Sequence, residues 1–440
     1  MKDPNEEPEA QAMDLPPSWT SSAFHVVGEI VCDGVDPRQV PSAMHIAPDN
    51  IESSTGRLLK CRMVEEDKVI SNNFQFTAGD VLYTKLRPYL NKVVVAPFDG
   101  VCSSDILPIR ARIEPRFLAY WMLSPGFVHQ VIPKQTGVTL PRISRKELSN
   151  LPVPIPPLPE QRRIVEAIEA NFARLDEAVA ELERARASLK RYRASVLSGY
   201  FPEEDSDRAG ADYTELSSVC GTATGGTPRR QNPEYYDGHI PWVKSGELND
   251  GLVTTVEEKI SQAAIDESNA KVFPSGTVCM ALYGATVGRL GVLGLDAATN
   301  QAVCAFFPDG QLTRPYLFWF LRSVRSRLLS QRSGGAQPNI SQTIVRALRL
   351  PLLPLKEQDQ VVGEIEQHMS ITGEVTSEVE HGLARGAYMR KSILQAAFAG
   401  RLVPQDPYDE PASALLERIK HERSSSSQSM AQKRKAVRAS

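Results

Sequence analysis

Several features that define other classes of protein are missing from this chain of 440 residues. It has no uninterrupted apolar run of about 18 residues, so the sequence predicts no membrane span. Residues 1–13 lack the basic and then apolar segments of a signal peptide, which favours a cytoplasmic protein. The formal net charge is only −3, with 23% charged residues. A wholly basic nucleic-acid coat is therefore excluded, and any DNA contact must be a local patch.

Motifs for metal and cofactor chemistry are also absent. The cysteines never form a C-x-x-C pair, so they indicate reduced thiols in the core rather than disulfides or a zinc site. The histidines show no H-E-x-x-H spacing. There is no G-x-x-x-x-G-K-[ST] phosphate loop, so ATP use is not expected. We expect this chain to bind no cofactor or metal and to carry no catalytic residue.

Two short segments imitate catalytic motifs. Asn232-Pro233-Glu234-Tyr235 is close to the N-P-P-Y motif of adenine methyltransferases, but it follows a basic turn and no glycine-rich cofactor loop precedes it. Pro48-Asp49 followed by Glu66-Asp67-Lys68 imitates a P-D…E-x-K nuclease, but its acidic run is more typical of a turn. Neither segment predicts catalysis.

What the chain does contain is a long helical segment that occurs twice. Adding 197 to each number matches Pro157, Glu160 and Gln161 with Pro354, Glu357 and Gln358, without an insertion along the helix. Apolar or small residues recur in steps of three and four, which predicts a heptad seam between two packed helices. In the first copy these are Ile164, Ile168, Leu175, Ala178, Leu182, Ala185, Leu189, Tyr192 and Val196, and in the second Val361, Ile365, Val375, Val379, Met389 and Ile393.

Glycines interrupt the second copy, and Gly382 and Gly386 lie on its seam. Each glycine costs roughly 0.5–1 kcal/mol against alanine inside a helix. Two interpretations stay open: a close backbone approach to the first helix near Ala178 and Ala185, or a local kink.

A globular region precedes each helix. Short apolar runs between turn residues predict mixed α and β structure in residues 18–150 (head 1) and 213–348 (head 2), with an amphipathic segment at Arg116 to Val131. The remaining predicted segments are a disordered tail (1–17), a first long helix (151–201), a linker (202–212), a second long helix (349–403), a short C-terminal helix (404–420, helical from Pro411 to Ile419) and a disordered tail (421–440). The predicted fold class is α+β: two mixed α/β domains joined by two long antiparallel coiled-coil helices, with an internal two-fold repeat.

These segments resemble the specificity subunit of type I restriction-modification systems over nearly the whole chain. The most specific stretches are Ile155–Gln161, Gly225–Pro228, Ile240–Leu248, Tyr283–Gly288 and Gly400–Pro407. Head 1 departs from the pattern because it lacks the G-G-T-P start, and Asp36-Pro37-Arg38 is its nearest equivalent.

The resemblance implies two target-recognition domains, each recognising one half of a bipartite DNA site. It implies a spacer made of the two helices, for which we select Leu175, Leu182, Leu189, Val196, Val375, Val379, Met389 and Ile393. It implies double-stranded DNA, two modification subunits and two restriction subunits as partners, and no membrane. Those partner subunits use S-adenosylmethionine for adenine N6 methylation, and ATP and Mg for translocation and cleavage.

Base recognition needs paired donors and acceptors, while lysine and similar groups hold phosphates. Residues of these types cluster in loops next to glycine or proline, although each one is also explained as a solvated surface group. The candidates are Lys85, Arg87, Tyr89, Lys134 and Arg142 in head 1, and Thr227, Arg229, Arg230, Lys244, Ser245, Arg289, Gln337 and Asn339 in head 2.

Two other classes of function stay open. A self-contained DNA-modifying enzyme needs a cofactor site that the sequence does not show. A coiled-coil scaffold without a DNA role has no use for two divergent heads rich in arginine and glutamine.

Overall fold

The computed structural model describes residues 15–203, 212–330 and 339–423. The chain divides into two units, of which unit 1 comprises residues 1–181 and 381–440 and unit 2 comprises residues 182–380. Head 1 lies in unit 1 and head 2 lies in unit 2. Each long helix contributes residues to both units.

Unit 1 is built from short strands and short helices. Its strands are β1 (Thr20–Ala23), β2 (Gly28–Ile30), β3 (Gly34–Val35), β4 (Met44–Ile46), β5 (Arg62–Met63), β6 (Asn73–Phe76), β7 (Val81–Thr84), β8 (Val93–Val95), β9 (Gly100–Ser103), β10 (Ile106–Ala111) and β11 (Pro152–Ile155). Its short helices are α1 (Phe24–Val27), α2 (Pro115–Leu123), α3 (Pro125–Val131) and α4 (Arg145–Ser149), followed by the first long helix α5 (Leu158–Tyr200).

These strands form two main sheets. One has the order β2-β10-β7-β8, and the other has the order β3-β6-β9-β4-β5, in which β4 runs parallel to β9. A separate pair, β1 with β11, lies at the start of α5. The core of unit 1 includes Phe117 and Trp121 of α2, and both rings pack against Phe398 with centroids 5.2 Å apart.

Unit 2 has the same kind of architecture. Its strands are β12 (Tyr213–Glu215), β13 (Cys220–Thr224), β14 (Ile240–Val243), β15 (Gly251–Val253), β16 (Glu258–Ile260), β17 (Val272–Phe273), β18 (Val278–Ala281), β19 (Leu290–Leu293), β20 (Ala297–Thr299), β21 (Val303–Pro308) and β22 (Arg349–Pro351). Its short helices are α6 (Leu216–Val219), α7 (Gln262–Asp266), α8 (Arg314–Ser330) and α9 (Gln342–Arg346), followed by the second long helix α10 (Leu355–Phe398). The main sheets have the orders β13-β21-β18-β19-β15 and β16-β14-β20-β17.

The internal repeat extends to the strand register. Val81 is opposite Ile109 and Val95 in unit 1, and Val278, 197 positions later, is opposite Phe306 and Val292 in unit 2. The central parallel pair repeats in the same way, with His45 opposite Val101 and Trp242 opposite Ala298. The predicted fold class, two mixed α/β domains with long helices and an internal repeat, is confirmed.

The repeat breaks at one place near the start of each head. Helix α1 begins at Phe24 and its counterpart α6 begins at Leu216. The offset of 197 would place the start of α6 at position 221, five residues later. Head 2 therefore has five more residues before β14, in the region that holds Gly225 and Gly226. Larger residues do not fit at these two positions. A Cβ on Gly225 would lie 2.0 Å from the backbone of Thr299, and a Cβ on Gly226 would lie 2.4 Å from the backbone of Ala270.

The long helices pack antiparallel in each unit. In unit 1, Arg390 donates to Asp176 and lies over the ring of Phe172 at 4.2 Å. In unit 2, Arg193 Nε donates to Thr372 at 2.9 Å, and Tyr200 donates to Glu364 at 2.7 Å. In unit 2 the α10 position falls from 372 to 364 as the α5 position rises from 193 to 200. In unit 1 it falls from 390, opposite Asp176, to 386, opposite Val179.

Some predicted seam residues are exposed rather than buried between the helices. Val375 and Met389 are 44% and 52% exposed, and Ala178 is also exposed. Tyr192 is exposed as well, but it does contact the second long helix, because its hydroxyl lies 2.9 Å from His368 Nδ1. Part of the contact between the two helices is made by polar and small residues, which the apolar heptad pattern does not include. Buried positions include Phe172, Leu197, Thr372, Val379 and Leu394, while Leu175, Leu182, Leu189, Val196 and Ile393 are half-buried.

Gly386 marks a close approach of the two helices. A Cβ there would lie 2.9 Å from Val179 Cγ2 and 3.8 Å from Leu175 Cδ1. The predicted close approach is therefore confirmed at Gly386, and helix α10 continues through this glycine. The neighbours are Val179 and Leu175 rather than the predicted Ala178 and Ala185.

Several predicted boundaries shift. Leu15 packs against the core of unit 1, so the disordered tail predicted for 1–17 is wrong at 15–17, and 1–14 lie outside the described residues. The amphipathic segment at Arg116 to Val131 is two helices, because Ser124 caps α3 by accepting from the Phe127 N–H. A last helix, α11, covers residues 412–423 and passes the predicted end at Ile419. Residues 204–211 of the predicted linker and 424–440 of the predicted tail lie outside the described residues.

Candidate nucleic-acid interface

Head 1 brings two of the predicted loop clusters together. We define loop pair 1 as residues 85–91, which follow β7, and residues 134–142. Leu86 and Thr136 each form a bridge with Arg142, and the Ile143 N–H donates to the Lys85 carbonyl at 3.1 Å. The Arg87 N–H donates to the Pro141 carbonyl at 2.7 Å. Loop pair 1 holds the head 1 candidates Lys85, Arg87, Tyr89, Lys134 and Arg142.

Head 2 builds an equivalent structure in the same register. We define loop pair 2 as residues 283–289, which follow β18, together with Asn339. Tyr283 forms a bridge with Asn339, and the Ile340 N–H donates to the Leu282 carbonyl at 2.7 Å. Each of these positions is 197 residues after its counterpart in loop pair 1. Candidate Gln337 lies outside the described residues, while Asn339 and Arg289 are both exposed in loop pair 2.

Loop pair 1 presents both cations and apolar side chains to solvent. Arg142 lies 3.4 Å from Asp105, and Lys134 lies 3.8 Å from Glu147. Within the described residues, the side chains of Lys85 and Arg87 have no ion-pair or hydrogen-bond partner. Val138 is fully exposed, and Tyr89 and Leu140 are also exposed, as is Ile132 just before the 134–142 segment. This mixture suits a nucleic-acid surface, because cations attract phosphates and apolar groups contact thymine methyl groups.

A second basic cluster in head 2 is already paired with carboxylates. Arg230 lies 2.7 Å from Glu258, and Lys244 lies 2.8 Å from Glu257 and 3.1 Å from Glu258. The hydrogen bond from Arg230 holds the pKa of Glu258 below its usual range, and those carboxylates raise the pKa of Lys244. The guanidinium of Arg230 also lies over the Tyr236 ring at 4.4 Å. Arg230 and Lys244 are therefore not free cations, and their contact with DNA stays a prediction.

The remaining head 2 candidates are Ser245, Thr227 and Arg229. The Ser245 carbonyl accepts from Thr286 Oγ1 at 2.9 Å, which links the cluster to loop pair 2. Thr227 donates to Gln301, and Arg229 is exposed. The structure thus joins Ser245 to loop pair 2 but places Arg230 beside Glu258.

Loop pair 2 packs against an ion pair, Arg325 with Asp250, that the sequence analysis did not identify. Arg325 of α8 donates to Asp250, and a Cβ on Gly288 would lie 3.1 Å from Arg325 Cγ. Burial opposes the charge on Asp250, but the bonds from Arg325 and the Leu290 N–H outweigh it, so its pKa lies below the usual range. Because Asp250 and Arg325 are far apart in sequence and belong to no motif, only the fold shows that they meet.

Within the described residues, no group of three or more histidine, cysteine, aspartate or glutamate side chains is arranged to hold a metal ion. Across residues 15–203, 212–330 and 339–423, every helix is too short or too polar to traverse a lipid bilayer.

Comparison with known proteins gives consistent matches. The model of the type I restriction modification DNA specificity domain matches residues 50–184 and 210–381. The EcoDI specificity subunit of Escherichia coli is 37% identical over 204 residues, a region that spans 46% of each protein. The EcoBI specificity subunit of Escherichia coli is 27% identical over 378 residues, covering 76% of this chain and 77% of that protein.

Solved structures share the fold. A chain from a study of complex assembly and conformational transition of the type I R-M system superimposes with a TM-score of 0.76 at 24% identity, covering 89% of this chain and 100% of that chain. The HsdS subunit from Thermoanaerobacter tengcongensis superimposes with a TM-score of 0.51 at 24% identity, covering 88% and 98%.

Proposed function

Because the chain belongs to the type I restriction-modification DNA specificity family, we propose that each head recognises one half of a bipartite, asymmetric site on double-stranded DNA. The observation that carries this proposal is the pair of loop structures in identical register. Both heads use one backbone arrangement at the exposed end of their central strand, with Leu86 bridging Arg142 in one and Tyr283 bridging Asn339 in the other. A common backbone with different side chains is suited to the recognition of two different sequences.

The proposal extends to partners. This chain, itself non-catalytic, holds two modification subunits that methylate adenine N6 with S-adenosylmethionine. It also associates with two restriction subunits that use ATP and Mg, and the assembly is cytoplasmic. The two heads supply the sequence preference of the whole complex.

The long helices are the proposed spacer. Half-sites are recognised together only if the recognising domains keep a fixed separation and rotation. Helix α5 has 43 residues, which corresponds to about 65 Å at 1.5 Å per residue. Antiparallel packing against α10 stiffens it in each unit, which supports a spacer of defined length.

The test is to express this chain with a modification subunit in a host that lacks other adenine methylation, and to map methylated adenines across the genome. We expect one bipartite sequence with a fixed unread spacer. Expression of each subunit alone is the control. Methylation by this chain alone would support a stand-alone enzyme, and methylation of an unrelated or undefined sequence would contradict the proposal.

A further inference from the structure

Arg87 has a backbone conformation that its residue type disfavours. Its φ is +50°, in the left-handed region that glycine adopts readily and most other residues avoid. Proline follows it, and a residue before proline prefers an extended backbone. Two local preferences are therefore violated at one position on the exposed surface of loop pair 1.

The repeat shows what an unstrained version of this turn contains. Loop pair 1 has left-handed residues at Arg87 and Asn91, and loop pair 2 has them at Gly284 and Gly288, 197 positions later in both cases. The same turn is thus made with two glycines in head 2. No atom lies within 4 Å of a Cβ built on Gly284, so space does not dictate the residue at this position.

Asn91 and Arg87 differ in what their side chains do. Asparagine tolerates the left-handed region, and Asn91 is buried with its Nδ2 donating to the Leu123 carbonyl at 3.0 Å. Asn91 therefore stabilises the fold. Arg87 is exposed, and within the described residues its guanidinium makes no hydrogen bond or ion pair, so the fold gains nothing from it.

The backbone of Arg87 is nevertheless held firmly. Its N–H donates to the Pro141 carbonyl at 2.7 Å, and the following Pro88 is buried. The side chain therefore projects from a fixed backbone beside exposed Tyr89 and the apolar residues of the 134–142 segment. Strain of this kind persists at sites where a side chain must be held in position for function.

We propose that Arg87 is a specificity-determining residue of head 1 that recognises the O6 and N7 atoms of a guanine in the major groove. Arginine is suited to this role because its planar guanidinium donates two parallel hydrogen bonds to that base edge. The inference rests on the proposed function, since it requires head 1 to bind DNA. It predicts a G·C pair in the half-site of head 1.

Arg87→Gly tests the inference, and Lys68→Gly is its matched control. Lys68 is also an exposed cation of head 1 with a positive φ, +52°, but it lies in the turn after β5 and outside loop pair 1. Both variants lose one positive charge and relieve the same type of strain. The unfolding midpoint of the full-length chain should be unchanged or higher in both.

The second measurement is the map of methylated adenines made by each variant with the modification subunit. Arg87→Gly should lose roughly 5- to 150-fold of its discrimination at one G·C pair, the range that a bidentate contact supplies. The loss should occur only in the half-site of head 1, which is the half that stays unchanged when residues 213–348 of head 2 are exchanged for those of a relative. Lys68→Gly should keep the parent sequence.

Two results would overturn the inference. One is an Arg87→Gly complex that keeps the parent preference at every base pair, and the other is an unfolding midpoint for Arg87→Gly well below that of Lys68→Gly. If the unmodified complex itself methylates no bipartite sequence, the proposed function fails instead, so the two failures are distinguishable.

Discussion

Single buried amides connect each long helix to its head. Gln161 accepts from the Glu114 N–H at 3.0 Å and donates to the Pro156 carbonyl at 2.9 Å. Gln358 repeats this arrangement, accepting from the Thr313 N–H at 2.8 Å and donating to the Leu353 carbonyl at 2.8 Å. It also donates to the Gln311 carbonyl at 2.7 Å. Both side chains are completely buried, so each fixes the first turn of its long helix against the segment that precedes α2 or α8.

Replacement of either glutamine should therefore destabilise the chain. Gln161→Ala and Gln358→Ala should each lower the free energy of unfolding by about 1–3 kcal/mol for every buried group left without a partner. Chemical denaturation measures this change. The control is Glu357→Ala at the exposed neighbour of Gln358, which should stay within about 0.5 kcal/mol of the parent. Equal effects in all three variants would refute the role of the amides.

The residue next to these glutamines shows the limit of the sequence at this scale. The repeat aligns Glu160 with Glu357, as it aligns Gln161 with Gln358. Glu160, however, is buried and accepts from Trp19 Nε1 and Gln405 Nε2, and burial raises its pKa, whereas Glu357 is exposed. The difference arises from chain segments more than 100 residues away, which no local pattern contains.

At the scale of elements, the length and pairing of the helices followed from the sequence, and the contacting face followed only in part. The heptad pattern counts apolar residues, and it placed Val375 and Met389 in the contact. The contact also includes polar pairs that the pattern does not show, Arg193 with Thr372 and Arg390 with Asp176. A pattern of one helix cannot show which polar residues find partners on the other.

The close approach at Gly386 gives a prediction for the helix pair. Gly386→Ala should lower stability, by about 1–3 kcal/mol for an overpacked contact, because Val179 is stiff and its Cγ2 would lie 2.9 Å from the new Cβ. Gly363→Ala is the matched control, because no atom lies within 4 Å of its Cβ position. It should gain roughly 0.5–1 kcal/mol of helix propensity. Urea denaturation measures the stability of both variants. A gain in stability in both would contradict the close contact at Gly386.

A second prediction concerns the proposed spacer. One added heptad in each long helix, after Glu181 and after Glu380, keeps the helix faces in phase and adds roughly 10 Å. That length equals about three base pairs of B-DNA at 3.4 Å each. Mapping of methylated adenines should show a longer unread spacer, although the rotation of DNA shifts the number from three.

An insertion of two residues at the same positions is the control. It turns the contacting faces away from each other, so the complex should lose stability and activity rather than gain spacer length. An active heptad-insertion complex with an unchanged spacer would show that the helices do not set the separation.

For the whole molecule, the internal repeat was the most informative feature of the sequence. The two heads share few residues at the offset of 197, among them Gly137 and Pro141 with Gly334 and Pro338. The same offset nevertheless holds for strand pairs and for the bridges at both loop pairs. The candidates of head 1 were predicted as two loops and form one surface. The pairing of Arg230 and Lys244 with Glu258 was not predictable, since the acidic partner follows on a different strand.

The central claim is that two heads on one frame recognise independent half-sites. Exchange of residues 213–348 for the equivalent head of a family member, followed by mapping of methylated adenines, tests it most directly. The account predicts a new sequence in one half of the site, with the other half and the spacer unchanged. A change in both halves, or in neither half of a stable and active complex, would contradict it.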